Sequence, residues 1–233
     1  MAIAFDAATQ GTAGVSSTQT YAHTCTGSDL ILYVHGFVVG GAKTISGITY
    51  NGSAMTLVDS QVNAGNDSNA YLFRLVAPSS GTNNVVVTFS ASFCVTVATS
   101  YTGAKQSGGV FVTNKGVNNP AVTVSVTPNS SNNWIVMAVG ADNAAPTATD
   151  SAFLRQVGSN VAITAFDTNA AVSGATTMGA TSNAGLFAVA ESFEPVAAAG
   201  PSNLKSLDGN LKANIKSISG NLIANVKSFD GNS

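Results

Sequence analysis

Apolar and polar positions alternate along most of this chain in runs too short and too closely punctuated for helices. The segments "DLILYVHGFVV", "AYLFRLVAP", "NNVVVTFS", "CVTVATSY", "VTVSVTP", "WIVMAVGA" and "GLFAVAESF" are apolar and mostly β-branched, and Gly, Asn, Ser and Pro clusters separate them. That pattern predicts strands. No stretch before the C-terminal tail keeps an i, i+3, i+4, i+7 apolar pattern long enough for a helix. Short strands at this spacing predict an all-β sandwich or barrel.

The pattern also repeats. "GSDLILYVHG" (Gly27 to Gly36) aligns with "SNNWIVMAVG" (Ser131 to Gly140), and each follows an alternating strand, "TYAHTCT" or "AVTVSVTP". Further on, "VTVATSYTG" (Val95 to Gly103) aligns with "FAVAESFEP" (Phe187 to Pro195). The offset between copies shortens by twelve residues from the first match to the second. The hairpin "ITYNGSAMTLV", with its Asn51-Gly52 turn, is the expected loss. The runs around Leu30 to Val39 and Trp134 to Ala141 are apolar on both faces, which places them at sheet centres or under a subunit contact. The expectation is one jelly-roll-like sandwich over residues 1–196 with internal pseudo-duplication, each half giving strands to both sheets and sharing one core.

After residues 197–202, a small-residue hinge, the composition changes. Residues 203–233 read "NLKSLDGNLKA", "NIKSISGNLIA" and "NVKSFDGNS", an eleven-residue repeat. Its large apolar residues are Leu204, Leu207, Leu211, Ile215, Ile218, Leu222, Val226 and Phe229, spaced 3, 4, 4, 3, 4, 4, 3. On a helix they would form one stripe with a slight right-handed supercoil. Gly209, Gly220 and Gly231 would each cost that helix about 1 kcal/mol. Asp208-Gly209 and Asp230-Gly231 are turn dipeptides, and Leu211, Ala213, Ile215 alternate as in a strand. The tail is therefore expected to be β. A segment this short cannot shield its own apolar side, so those eight residues are the expected assembly interface.

Composition narrows the function. Charged residues make up 9% of the chain and the net charge is −2, too few and too scattered to bind nucleic acid through phosphates. No apolar run approaches the roughly 20 residues of a membrane-spanning helix. The start "MAIAFDAATQG" shows no basic or apolar signal region, so the expectation is assembly in a host cytoplasm followed by release. Cys25 and Cys94 lie in alternating runs, where free Cys acts as a small buried hydrophobe.

Candidate chemistry is sparse. His23, Cys25 and His35 are the soft metal ligands nearest in sequence, with Cys94 the remaining candidate, and this set is short of a zinc site. Asp67, Asp142 and Asp150 sit in loops without the ligand density of a calcium site. Glu191 and Glu194, three apart on a strand, point to opposite faces. The Gly-rich "VVGGAK" and "KQSGGV" lack the ending of a phosphate loop, and no Gly-x-Ser-x-Gly elbow occurs. The sequons at Asn51, Asn66 and Asn129 matter only in a eukaryotic secretory pathway. The expectation is a protein with no catalytic site, metal or cofactor.

The segments "AIAFDAAT", "HTCTGSDLILYV", "ITYNGSAMT", "LVAPSSGTNNVVVTFS" and "SYTGA", together with the Asn-x-Lys-Ser-x-x-Gly tail, resemble uncharacterised β-sandwich structural proteins of tailed bacteriophages. The resemblance covers most of the chain and contains no catalytic signature. It implies a non-enzymatic virion component: a capsid decoration, head fibre or tail-associated subunit. Its expected partners are its own copies (a trimer is one arrangement), other virion proteins and host-surface glycans. The alternative is a bacterial surface adhesin or carbohydrate-binding module with Tyr50, Tyr71 or Trp134 as a sugar platform.

Overall fold

In a computed structural model, the described residues are 1–65, 67–141, 145–197, 217–218 and 221–222. The chain divides into two units, Met1–Val196 and Ala197–Ser233. The first unit is all β. Its first half runs β1 (Ala4–Gln10), β2 (Thr18–Cys25), β3 (Ile31–Val39), β4 (Ile45–Tyr50), β5 (Ser53–Ala54), β6 (Thr56–Val62), β7 (Ser68–Val76), β8 (Gly81–Phe89) and β9 (Cys94–Thr102). The second runs β10 (Val112–Asn118), β11 (Ala121–Val126), β12 (Trp134–Ala141), β13 (Thr147–Asp150), β14 (Phe153–Val157), β15 (Ile163–Asp167), β16 (Thr176–Thr181) and β17 (Leu186–Phe193). In the second unit, β18 (Ser217–Ile218) pairs antiparallel with β19 (Asn221–Leu222).

Each half builds a complete sandwich. In the first, strands ordered β1-β9-β3-β7-β6 face strands ordered β2-β8-β4-β5. In the second, β10-β17-β12-β15-β14 face β11-β16-β13. The two orders coincide strand for strand, with β5 alone lacking a counterpart. Apart from the β4-β5, β6-β7 and β14-β15 hairpins, successive strands within each half cross between facing sheets, as in a jelly roll. This corrects the expectation that each half would give strands to both sheets of one sandwich. Nine and eight strands are enough for two sheets each, so each copy closes on its own core.

Three cores result, stacked through four layers. Leu32, Val34, Ile48, Tyr50, Val85 and Val87 fill the first sandwich. Ile135, Met137, Val139, Phe166 and Met178 fill the second. Between the two five-stranded sheets lies a third core, with Ile31, Tyr33, Phe37, Leu72, Val97 and Tyr101 meeting Trp134, Val136, Ile163, Phe187, Val189 and Phe193. This explains the sequence pattern. The outer strand β2 alternates, burying Gln19, Tyr21, His23 and Cys25, whereas β3 and β12 are covered on both faces.

Contacts across this third core come in matched pairs. β3 meets β12; β3 with β15 is answered by β12 with β7, and β7 with β17 by β15 with β9. Likewise β6 with β17 is answered by β14 with β9, and β6 with β10 by β14 with β1. An isologous, twofold interface has this reciprocity. The central strands are thus equivalent, as the sequence echo indicated, but their residue register is not the expected one. Ile31 pairs with Tyr101 and Trp134 pairs with Phe193, so Trp134 corresponds to Ile31 rather than to Leu30. Asp29 and Asn132, both at positive φ, precede these residues by the same step. A one-residue slip exchanges the faces of a strand, and the sequence alignment of these two strands had that slip.

Two polar clasps sit in the third core. Arg74 Nη1 lies 2.5 Å from Glu191 Oε1, and Tyr33 donates its hydroxyl to Glu191 Oε2 at 2.9 Å. The Arg74 guanidinium also rests 3.5 Å above the ring of Phe111, in the other half. Arg155 Nε lies 2.5 Å from Asp167 Oδ2, and its guanidinium rests 4.1 Å above Phe5, again across the interface. Burial pushes both carboxyls up in pKa, and each arginine opposes the shift.

Removing one partner of such a pair strands a buried charge. Arg74→Ala should therefore destabilise the protein by about 3–5 kcal/mol, and Arg74→Met with Glu191→Leu should cost much less. Urea midpoints of the single and double variants measure this. Equal losses in both would show that the pair's charges are not what matters.

Candidate functional site

The candidate histidines and cysteines turn inward. His23 and Cys25 share the buried face of β2, as the alternation required. Ser100 donates its hydroxyl to Asp6 Oδ2 at 2.7 Å, so it accepts from His23 Nε2 at 3.1 Å. That leaves His23 Nδ1 to accept from Thr9 Oγ1 at 2.8 Å. Thr26 completes the group by donating its N–H and hydroxyl to Asp6. A serine, a histidine and an aspartate meet here, but their wiring runs against catalysis. A general base must take the nucleophile's proton, and here the histidine donates to the serine, whose own proton goes to the carboxylate. His23 and Ser100 have no solvent exposure. Burial lowers the His23 pKa to about 4.

His35 lies apart from this group, in the core between the halves, with Nε2 3.0 Å from Thr99 Oγ1. Burial lowers its pKa to about 3. Cys25 and Cys94 are buried free thiols. The Cys25 thiol sits beside Tyr50 and Ser100, and Cys94 lies six residues before Ser100 on β9. At about 3.3 Å per strand residue that is roughly 20 Å, far beyond the ~7 Å limit for a disulfide. Among the described residues, no three of His, Cys, Asp and Glu gather as metal ligands.

The other candidates are likewise accounted for. Glu191 and Glu194 share no cleft. Glu191 belongs to the third core, and Glu194 ties Lys105 Nζ (2.7 Å) and Asn129 Nδ2 (2.6 Å) together. The Lys105 hydrogen bond is the main reason the Glu194 carboxyl lies below its usual range. In "VVGGAK" the carbonyls of Gly40, Gly41 and Lys43 converge on Asn69 Nδ2 at 3.1 to 3.2 Å. A phosphate cradle needs converging N–H groups instead. "KQSGGV" is the connector between the halves, held by Gln106 to the Leu30 carbonyl at 3.1 Å. Asp150 is the exposed last residue of β13, at positive φ. Asp142 and the sequon at Asn66 lie outside the described residues. Tyr50, Tyr71 and Trp134 are 0%, 5% and 7% exposed, so they cannot serve as a sugar platform. An alternating pattern marks which residues share a face, and all three fell on the covered one. Of the expected tail interface, Ile218 and Leu222 lie in β18 and β19, while Leu204, Leu207, Leu211, Ile215, Val226 and Phe229 lie outside the described residues.

Two of the surface depressions are lined by described residues. One, of about 580 Å³, opens where β3 and β12 end, lined by Phe37, Val39 and Asp67 from one half and Ala141, Asn160 and Ala162 from the other. Asp67 is its sole ionisable lining residue among those described, and Asn63 already donates to that carboxylate. The second, of about 420 Å³, lies on the outer face of β4 and β8, lined by Thr49, Asn51, Thr82, Asn83, Asn84 and Val86. Sequence reasoning missed it, because only the pairing of β4 with β8 brings Asn51 beside Asn84. No family model, no curated protein and no solved structure matches the chain.

The buried histidines make stability depend on pH. Their folded pKa values, about 4 and about 3, lie below the ordinary 6.5, so the unfolded chain binds more protons between these limits. Stability is then lost as pH falls below 6.5, by about 1.4 kcal/mol per pH unit for each histidine. Glu191 and Asp167, with raised pKa values, oppose this only nearer the carboxylate range. Thermal unfolding from pH 7 to about 5 should show the slope, and His23→Gln should flatten it. An unchanged slope in that variant would remove His23 from the explanation.

Proposed function

We propose that the chain is a non-enzymatic structural subunit of a virion, serving as a capsid decoration, head fibre or tail-associated protein. It works as a homo-oligomer, attaching through its C-terminal repeats. The observation that carries the reading is the inward engagement of the candidate histidines, thiols and glutamates described above. His23, Ser100, Asp6, Glu191 and Glu194 spend their hydrogen-bonding capacity inside the protein, which suits a rigid building block. The virion assignment rests on the resemblance of the sequence segments to phage structural proteins, because jelly rolls serve capsids and lectins alike.

The adhesin reading keeps one supporting observation, the uncharged depression lined by Asn51, Asn83 and Asn84. It loses the aromatic platform on which it first rested.

The tail supplies the test. Eight large apolar side chains within residues 203–233, each worth roughly 1.5–3 kcal/mol when fully buried, need a partner surface. Truncation after Gly200 should leave the melting temperature of the sandwich unchanged and abolish assembly, read by sedimentation. A truncated chain that assembles and attaches like the full one would remove the tail as anchor.

A further inference from the structure

We propose that the depression on the outer face of β4 and β8 binds a neutral saccharide. The internal duplication provides the control. Both halves build the same pair of sheets, yet the second does so without β5 or the Asn51-Gly52 turn. The fold therefore does not need that hairpin, and a segment released from the fold is available to function. In the first half the hairpin is held against β8 by the Asn51 N–H to the Asn84 carbonyl at 3.1 Å. Asn51 Nδ2 adds a second bond to Ser79 Oγ at 3.1 Å.

The lining then decides the ligand class. Thr49 and Asn84 supply a hydroxyl and a carboxamide, and Val86 supplies an apolar spot, while the Asn51, Thr82 and Asn83 side chains along the rim are bonded to Ser79, Thr24 and Tyr50. No lining residue is charged, so an anionic or cationic ligand would find no counter-charge. Hydroxyls and carboxamides both donate and accept, as sugar hydroxyls do, and Val86 suits the C–H face of a ring. The Thr49 hydroxyl and the Asn84 carboxamide make no hydrogen bond to another described residue. The volume, about 420 Å³, falls in the range of small-ligand sites. The site belongs to the first half alone, so it stands or falls separately from tail-driven assembly.

Titration of the full-length ¹⁵N-labelled protein with maltohexaose, cellotetraose and chitotetraose tests this, with oligogalacturonate as the charged comparator. At least one neutral probe should shift the amides of Thr49, Asn51, Gly52 and Asn84 saturably, with Kd on the order of 1 mM. The comparator should leave them unmoved. Asn84→Ala, at an exposed strand position, should keep the remaining spectrum and weaken binding about tenfold. Thr49→Val should weaken it while preserving side-chain shape. No saturable shift at these amides with any neutral probe would overturn the proposal. So would binding that Asn84→Ala and Thr49→Val leave intact, or equal binding of the comparator.

Discussion

Burial of β3 and β12 on both faces is the constraint on which the rest of the structure depends. A strand covered once can place polar side chains outward, but these two cannot. The polar groups they and their neighbours project into the third core are driven to find partners inside the protein, and His35 Nδ1 is an exception that has none. Tyr33 finds its partner by donating to Glu191, and Glu191 in turn needs Arg74. Asp167 needs Arg155 in the same way. The two clasps are consequences of the layering. They contribute little net stability, because desolvation offsets most of their attraction, but the Arg74–Glu191 clasp resists mispairing. A slide of one half across the other would strand the Glu191 carboxylate without Arg74, whereas Arg155 and Asp167 belong to the same half and would move together.

The near-symmetry of the halves creates a packing difficulty that the sequence resolves by divergence. Like side chains meet across a twofold, and large ones collide there. Phe37 corresponds to Gly140 in the structural register, and a Cβ on Gly140 would collide with the ring of Phe187. The large residue in one half is thus answered by the smallest in the other. His35 corresponds to Ala138 and Thr99 to Glu191 by the same register. Around the axis, Tyr101 meets Trp134 at 5.8 Å and Phe37 meets Phe187 at 6.0 Å, aromatic contacts that join the halves. A fused pair of copies can diverge in this way, whereas a homodimer of one copy cannot.

Much of this was legible in the sequence. The alternation of Gln19, Tyr21, His23 and Cys25 placed their side chains on one face, and the double-sided runs marked the central strands. The Asn51-Gly52 turn marked the hairpin without a counterpart. What sequence could not supply was long-range. Arg74 and Glu191 lie 117 residues apart, and no local pattern joins them. The alignment of Leu30 with Trp134 rested on shared hydrophobicity, which a doubly buried strand satisfies in either register. That indifference hid the one-residue slip, and with it the third core. The depression on β4 and β8 was illegible for a related reason, because Asn84 reaches Asn51 only through sheet pairing.

The layers also divide the work of the protein. The outer strands expose Thr18, Thr20, Thr24 and Thr88 in one half and Thr123, Ser125, Thr147 and Thr181 in the other. These are neutral hydroxyls that hydrate without generating a field. Any contact made through such a face is steered by shape and hydrogen bonding, since long-range attraction needs clustered charge. The two faces nevertheless differ, because β5 and its turn wall in one of them. Duplication explains how that difference could be tolerated. The inner sheets hold each other through the third core, so neither outer sheet has to preserve a partner surface for folding. The outer sheets are therefore where the two copies were free to part ways.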